Sequence, residues 1–125
     1  MVSKGLTTSG NSGRAAMCSR YDLTSPPEAV RAYFDYLDKP KFPPRDNIRP
    51  TEPIAVVLLD ADGQRRLRLM RWGLLPNFVK DPKKFPTLFN ARSEELLAKP
   101  SFRNAVRRRR CLIPADGFYE WTGPK

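Results

Sequence analysis

The chain has 125 residues, enough for one domain and too few for two. Lysine and arginine number 23 against 13 acidic residues, and a net charge of +10 on so small a protein indicates a polyanionic partner, most often nucleic acid. Histidine, the usual general acid–base near neutral pH, is absent, so proton transfer would fall to carboxylates, cysteine, tyrosine or lysine. The two cysteines form neither a disulfide framework nor a metal-ligand pattern, and no cofactor motif occurs.

Residues 1–16 are rich in glycine, serine and threonine, and their only large apolar residues are Val2 and Leu6. Such a segment cannot bury enough surface to offset the entropy lost on ordering, so we predict a disordered extension over 1–16 and a folded part over 17–125. The extension lacks the apolar core of a signal peptide, and no other stretch is long enough to span a membrane. We therefore expect a cytoplasmic protein.

The first helix is predicted to begin at Ser25, because Ser25-Pro26-Pro27-Glu28 matches a capping box with proline at the first helical position. Large apolar residues then recur at helical spacing and give one apolar face, at Val30, Tyr33, Phe34 and Leu37. A proline-rich loop follows from 39 to 44.

A β-hairpin is predicted next, with strands over Pro53–Asp60 and Gln64–Arg71. The turn between them is Asp60-Ala61-Asp62-Gly63. In the second strand Leu67 and Leu69 alternate with arginines, so one face should be apolar and the other wetted.

Beyond a long loop, Ser93 is predicted to cap a short helix, and Ser101–Arg109 to form another. Two further strands are expected over Arg110–Pro114 and Phe118–Trp121. The fold class is α+β, mainly β. Residues 122–125 form a turn signal with no strand after it, so we expect the fold to continue past Lys125.

Four clusters have residue types that could support chemistry: Met17-Cys18-Ser19-Arg20, Asn47–Thr51, Leu88–Arg92 and Ala115–Trp121. Each alone has an ordinary structural explanation, since a cysteine can fill a core and an asparagine can cap a turn. A glutamate between two aromatic residues of a strand is usually the solvent-facing position.

Together, in this order and spacing, the clusters resemble the SOS response-associated peptidase (SRAP) family, whose members shield abasic sites in single-stranded DNA. The family pattern is Met-Cys-Gly-Arg, Asn-x-x-Pro-Thr, Trp-Gly-Leu-x-Pro, Asn-Ala-Arg and Pro-Ala-x-Gly-Phe-Tyr-Glu-Trp. The corresponding segments here are Met17-Cys18-Ser19-Arg20, Asn47-Ile48-Arg49-Pro50-Thr51, Trp72-Gly73-Leu74-Leu75-Pro76, Asn90-Ala91-Arg92 and Pro114-Ala115-Asp116-Gly117-Phe118-Tyr119-Glu120-Trp121. The resemblance covers 17–125 and implies a SRAP-like β-rich core with short peripheral helices, present in part.

The resemblance implies a covalent mechanism. Cys18, once it is the amino-terminal residue, would attack the aldehyde of an abasic site through its amine and close a thiazolidine through its thiol. Glu120 would move protons, and Asn90 would hold the amine or the sugar in register. Removal of the residues before Cys18 would be the associated peptidase activity.

The family pattern also implies a DNA-binding set. Arg20 and Arg92 would bind phosphates, Asn47 would lie beside them, and Pro50 would wedge against a base. Trp72 and Phe78 are further candidates for stacking. The resemblance implies single-stranded abasic DNA as the partner, with a monomer, no cofactor and no metal, and a nucleoid location through the DNA.

Several positions depart from the family pattern. Ser19 replaces a glycine, Arg49 replaces a small residue, and Glu52 adds a negative charge beside the DNA-facing loop. The family's second half, with a histidine that assists opening of the abasic sugar, has no counterpart here.

Two alternatives remain open at the level of sequence. The chain could be a truncated, non-catalytic nucleic-acid-binding remnant, or a fragment that does not fold alone. The run Arg107–Arg110 fits either a solvated surface or a salt-sensitive attraction to DNA.

Overall fold

The fold is that of a computed structural model, which describes the backbone of Val2–Lys4 and residues 18–120. Seven strands and two helices follow one another along the described chain. They are β1 (Val2–Lys4), β2 (Tyr21–Leu23), α1 (Pro27–Phe34), β3 (Arg45–Ile48), β4 (Pro53–Leu59), β5 (Arg65–Arg71), α2 (Pro100–Arg108), β6 (Leu112–Pro114) and β7 (Gly117–Phe118). Single 3-10 turns occur at Pro82–Lys84 and Ser93–Glu95.

The strands form two sheets. The larger has the order β1-β6-β4-β5 and the smaller has the order β3-β2-β7. All pairs are antiparallel except β1 with β6, which is parallel. This arrangement confirms the α+β, mainly β class. No helix within the described ranges is long and apolar enough to cross a membrane.

The β4–β5 hairpin is confirmed, with each strand one residue shorter at the turn than predicted and a register from Pro53↔Arg71 to Leu59↔Arg65. Its turn is held by the Asp60 carboxylate, which accepts hydrogen bonds from the backbone N–H groups of Asp62 and Gln64, each at 2.9 Å. Such an Asx turn is a local interaction, which explains why the sequence alone identifies it.

The core draws on both sheets and on α1. Its buried members are Tyr21, Leu23, Val30, Phe34, Tyr36, Ile48, Ile54, Val56, Val57, Leu67, Trp72 and Ile113. Leu67 is buried as predicted, whereas Leu69 on the same face of β5 is 74% exposed.

Helix α1 is shorter than its apolar pattern indicated. Asp35 has a left-handed backbone (φ 56°) that ends the helix after Phe34, so Leu37 lies beyond it and is exposed. Tyr33, although within the helix, is also exposed. The predicted capping box is wrong, since the N-cap is Pro26 and has no side-chain cap. The Ser25 hydroxyl instead donates to the Asp116 carboxylate.

The later elements follow the prediction with shifted boundaries. Ser93 begins a single 3-10 turn and its hydroxyl donates to Glu94, so it does not cap a helix. Helix α2 starts at Pro100. Proline is suited to this position, because a backbone N–H in the first turn would have no partner within the helix.

The described chain tests the ends of the prediction only in part. β7 ends at Phe118, and Trp121 lies outside the described residues. Residues 5–17 also lie outside them, so the division of the chain at residue 17 stays a prediction.

Candidate nucleophile site at Cys18

Cys18 is half-buried just before β2, and two contacts fix its backbone and thiol. The Asn90 side-chain N–H donates to the Cys18 carbonyl at 2.7 Å, and the thiol donates to the Arg20 carbonyl at 3.2 Å. The first bond joins residues 72 positions apart in the chain. Two of the three predicted catalytic residues are therefore in direct contact.

Glu120 is brought to Cys18 by the pairing of β7 with β2. Tyr21 is opposite Phe118, and the Tyr119 N–H donates to the Arg20 carbonyl at 2.9 Å. The Tyr119 hydroxyl donates to the Asp46 carbonyl at 2.7 Å and ties the same segment to β3. Glu120, the next residue, is exposed.

The electrostatics of the site keep the thiol protonated. Burial raises the pKa of the Cys18 thiol, a backbone hydrogen bond at Arg20 offsets part of that rise, and the negative charge of Glu120 makes a smaller upward contribution. At neutral pH the group is thus a thiol rather than a thiolate, which limits its nucleophilicity until a base removes the proton.

Asn90 owes its position to a scaffold built on Trp72. The Trp72 indole N–H donates to the Phe89 carbonyl at 3.1 Å, and the Leu74 N–H donates to the Leu88 carbonyl at 2.7 Å. Trp72 is buried with its ring edge against Tyr21, at a centroid distance of 5.3 Å. From this buried position Trp72 cannot stack on a base, so the predicted stacking role of Trp72 is wrong.

Of the predicted DNA-binding residues, Arg20 and Asn47 are in direct contact. Arg20 donates to the Asn47 side-chain oxygen at 3.2 Å. Arg92 is exposed two residues after Asn90, and Pro50 is half-buried after β3. Phe78 is 57% exposed and is free of the core.

The negative charge of Glu52 is engaged by its own loop. Its carboxylate accepts the Arg49 N–H at 2.7 Å and pairs with Arg45 at 3.3 Å. The negative charge of Glu52 is therefore offset by the adjacent positive charge of Arg45.

Two residues at the site were not singled out from the sequence. Tyr119 anchors β7 through its hydroxyl, and Asp116 bonds to Thr24 and Ser25, up to 92 positions away. Asp116 precedes a glycine and looks like an ordinary turn residue. The residues next to Asp116 in the sequence give no sign that it bonds to segments so far away in the chain. Tyr119 could have been singled out, because it lies within the family motif.

The arrangement can support carbonyl chemistry of one kind. A cysteine with a free α-amine has an amine and a thiol on adjacent carbons. Here the Glu120 carboxylate lies near Cys18, and the Asn90 side-chain amide binds the Cys18 carbonyl. In the chain as written that nitrogen is part of a peptide bond. Among residues 18–120, no cluster of three or more potential metal ligands occurs.

Fold and site together define a small, mainly β protein with a cysteine-centred site assembled from β2, β7 and the Asn90 segment. The chain belongs to the SOS response associated peptidase (SRAP) family, whose model matches residues 17–125.

Curated relatives support this assignment. The chain is 38% identical over 108 residues to the abasic site processing protein YoaM of Bacillus subtilis, covering 84% of this chain and 47% of that protein. It is 34% identical over 128 residues to the abasic site processing protein HMCES of Rattus norvegicus, covering 84% of this chain and 36% of that protein.

A crystal structure of a protein from Bordetella bronchiseptica is similar in fold, with a TM-score of 0.64 at 30% identity. The match covers 82% of this chain and 50% of that one. The chain thus spans about half the length, or less, of the relatives it matches.

Proposed function

We propose that this chain processes abasic sites in DNA through a covalent bond to Cys18. The observation that supports the proposal most is the 2.7 Å hydrogen bond from Asn90 to the Cys18 carbonyl, which joins two of the predicted catalytic residues. The relatives YoaM and HMCES bear the name abasic site processing protein. A residue held through its carbonyl keeps its α-amine position open to react, and the thiol need only give up its hydrogen bond to the Arg20 carbonyl.

The reaction needs Cys18 as the amino-terminal residue, because an amide nitrogen does not condense with aldehydes. The α-amine adds to the aldehyde of the ring-opened abasic sugar and loses water, which leaves a C=N bond. The thiol sulfur then adds to that carbon while its proton moves to the nitrogen, closing a thiazolidine. One water is released and no oxidant is needed.

Glu120 is the proton carrier of this scheme. It accepts a proton from the attacking amine and returns one to the departing hydroxyl, a contribution of about 10²–10⁴-fold in rate for general acid–base groups. An α-amine titrates near ~7.7–8.0, so a useful neutral fraction is present at neutral pH. The amine therefore reacts first, and the buried thiol closes the ring.

Binding would come from the polar rim of the site. Arg20, fixed by Asn47, and the exposed Arg92 present guanidinium groups suited to phosphate oxygens. Pro50 and Phe78 offer apolar surface to unstacked bases, a favourable contact in single-stranded DNA. A monomer supplies the whole set.

The peptidase part of the proposal is cleavage of the bond before Cys18. Intact mass measurement of the full chain after incubation tests it, with loss of residues 1–17 expected. Cys18→Ala and Glu120→Gln serve as comparisons, and release at the same rate from both would show that another protease makes the cut.

The central test uses a chain that begins at Met17, expressed in cells that remove the initiator methionine. Mixed with single-stranded DNA containing one abasic site, it is expected to give an adduct that survives denaturing electrophoresis. Glu120→Gln and Asn90→Ala should slow its formation about 10-fold or more. Cys18→Ser should give no stable adduct, because its hydroxyl does not close a comparably stable ring.

Two controls make the result specific. DNA whose abasic site has been reduced to an alcohol lacks the aldehyde and should give no adduct. A thermal melt of each variant shows that it is folded. A folded chain with an amino-terminal Cys18 and no adduct would contradict the proposal.

A further inference from the structure

Asp116, in the turn between β6 and β7, gathers several hydrogen bonds on one carboxylate. One oxygen accepts the N–H groups of Thr24 at 2.6 Å and Ser25 at 2.8 Å, and the Thr24 hydroxyl at 3.5 Å. The other oxygen accepts the Ser25 hydroxyl. The Asp116 N–H also donates to the Asp22 carbonyl at 2.9 Å.

These bonds join the two segments that meet at the site. Thr24 and Ser25 follow β2, which Cys18 precedes, whereas Asp116 precedes β7, which leads to Glu120. The position of Glu120 relative to Cys18 therefore depends on how β7 lies on β2.

β7 is two residues long and pairs with β2 through Phe118↔Tyr21 and Gly117↔Asp22. Tyr119 holds its far end through bonds to the Arg20 and Asp46 carbonyls, and Asp116 holds its start. A slip of one residue would turn every side chain of the strand to the opposite face. Charge-assisted bonds to a carboxylate are about twice as strong as neutral ones, so the Asp116 bonds are the firmest anchor at the start of this ladder.

We propose that Asp116 is a positioning residue, which fixes the register of β7 on β2 and so holds the Glu120 carboxylate beside Cys18. What Glu120 does there rests on the proposed function. Whether Asp116 holds it there can be tested without DNA.

The Asp116→Asn variant distinguishes the effect of the hydrogen bonds of Asp116 from the effect of its negative charge. In Asp116→Asn the amide oxygen can accept both N–H groups, and the amide N–H can donate to the Ser25 hydroxyl. The bonds are kept and the charge is removed. Asp116→Ala removes both.

The readout is the pH dependence of Cys18 alkylation by iodoacetamide in the folded full chain, followed by peptide mass spectrometry. Because the Glu120 charge raises the pKa of the Cys18 thiol, Glu120→Gln moves the curve to lower pH and speeds alkylation at pH 7.5. A fall of one pKa unit would be about tenfold in thiolate at that pH. Cys111, a half-buried free cysteine directly before β6, is the internal reference.

The expected pattern has four parts. Asp116→Ala speeds Cys18 alkylation by about the same factor as Glu120→Gln, and Asp116→Asn leaves it unchanged. Asp116→Ala adds no further change in the Glu120→Gln background. The rate at Cys111 stays constant throughout.

Other outcomes overturn the proposal. No change in Asp116→Ala means that Glu120 is held by other contacts. A change that persists in the Glu120→Gln background means that burial of Cys18 was lost, and an equal change in Asp116→Asn means that the Asp116 charge acts directly. If Asp116→Ala has no melting transition, Ser25→Ala, which removes one bond, should show a smaller change in the same direction, and its absence counts equally against the proposal.

The two proposals fail independently. If the wild-type chain gives no DNA adduct but the alkylation pattern holds, the proposed function is wrong and the positioning role stands. If the adduct forms and Asp116→Ala forms it at the wild-type rate with unchanged alkylation, only the positioning role is lost.

Discussion

At the scale of single residues, the structure holds the Cys18 thiol in its protonated form. Burial and the Glu120 charge both raise the pKa of its thiol, so the thiolate is scarce near neutral pH. A cysteine that must attack first is usually found with the opposite arrangement, a lowered pKa beside a cation. The site therefore suits a mechanism in which an amine forms the first bond and the thiol closes a ring.

Gly73 illustrates a residue whose identity is fixed by contact. Its φ is 148°, and a Cβ there would lie 2.8 Å from Thr87 Cγ2 and 2.9 Å from an Arg71 guanidinium nitrogen. We predict that Gly73→Ala lowers the free energy of unfolding by about 1–3 kcal/mol, measured by urea denaturation. The loss would also disturb the Trp72–Asn90 scaffold.

Two variants calibrate that prediction. Gly63→Ala has a positive φ of 77° but no atom within 4 Å, so its cost should be the smaller one of backbone strain, about 1 kcal/mol. Adding Thr87→Ser to Gly73→Ala removes the crowded methyl and should restore part of the stability. Equal costs at both glycines, with no restoration, would show that contact with Thr87 is unimportant.

At the scale of elements, Asp38 joins the loop after α1 to β5. Its carboxylate accepts the Arg66 Nε–H at 3.0 Å, the Arg66 Nη2–H at 2.8 Å and the Leu67 N–H at 2.8 Å. The hydrogen bonds from Arg66, followed by the one from Leu67, hold the pKa of Asp38 well below its usual range. Folded protein therefore binds a proton at Asp38 less readily than unfolded protein.

The sign of the resulting pH dependence is fixed. Stability from Asp38 is present above the unfolded pKa, near ~3.9, and is lost as the pH falls toward the lower folded pKa. We predict that Asp38→Asn lowers the melting temperature at pH 7 and flattens its fall between about pH 5 and 2. Thermal melts across that range measure both effects.

The comparison for this prediction is Asp62→Asn, which changes the charge equally at an exposed turn position. It should leave the melting temperature at pH 7 almost unchanged. Partial burial alone would raise the pKa of Asp116, but its hydrogen bonds to Ser25 and Thr24 lower it overall. The Asp38→Asn variant should therefore keep some sensitivity to acid. An Asp38→Asn curve parallel to that of the wild type would contradict the assignment.

The elements also show where local sequence was a good guide. The β4–β5 hairpin and α2 could be predicted because alternation, turn residues and proline position are local signals. The start of α1 could not, because the expected Ser25 cap bonds instead to a carboxylate 91 positions away. A tertiary hydrogen bond decided that boundary.

At the scale of the whole molecule, positive charge is the dominant property. Arg107 and Arg108 end α2 in exposed positions, and within residues 18–120 neither pairs with a carboxylate. Each phosphate contact on single-stranded DNA contributes about 0.7 to the slope of log binding constant against log salt concentration. The slope can therefore count contacts made by chosen arginines.

We predict that Arg107→Gln with Arg108→Gln weakens binding to single-stranded DNA and reduces the size of that slope by about 1.4, in fluorescence anisotropy titrations at several salt concentrations. The matched variant is Lys39→Gln with Lys41→Gln, which removes the same charge from an exposed loop near the Leu23 end of β2, away from Cys18. Equal slopes for the two double variants would mean that overall charge, not this helix end, attracts the DNA.

The sequence by itself determined the family motifs, the residues of the candidate site, the hairpin and the mainly β class. Each depends on residue types and short spacings, which the chain displays without folding. Tertiary structure alone decided that Asn90 holds the Cys18 carbonyl, that Trp72 is buried scaffold, that Glu52 is engaged by its own loop and that Asp116 joins β7 to β2. Most of these contacts cross long stretches of chain, and all depend on which backbone groups and side chains the folded sheets bring within hydrogen-bonding or packing distance, a property no local pattern encodes.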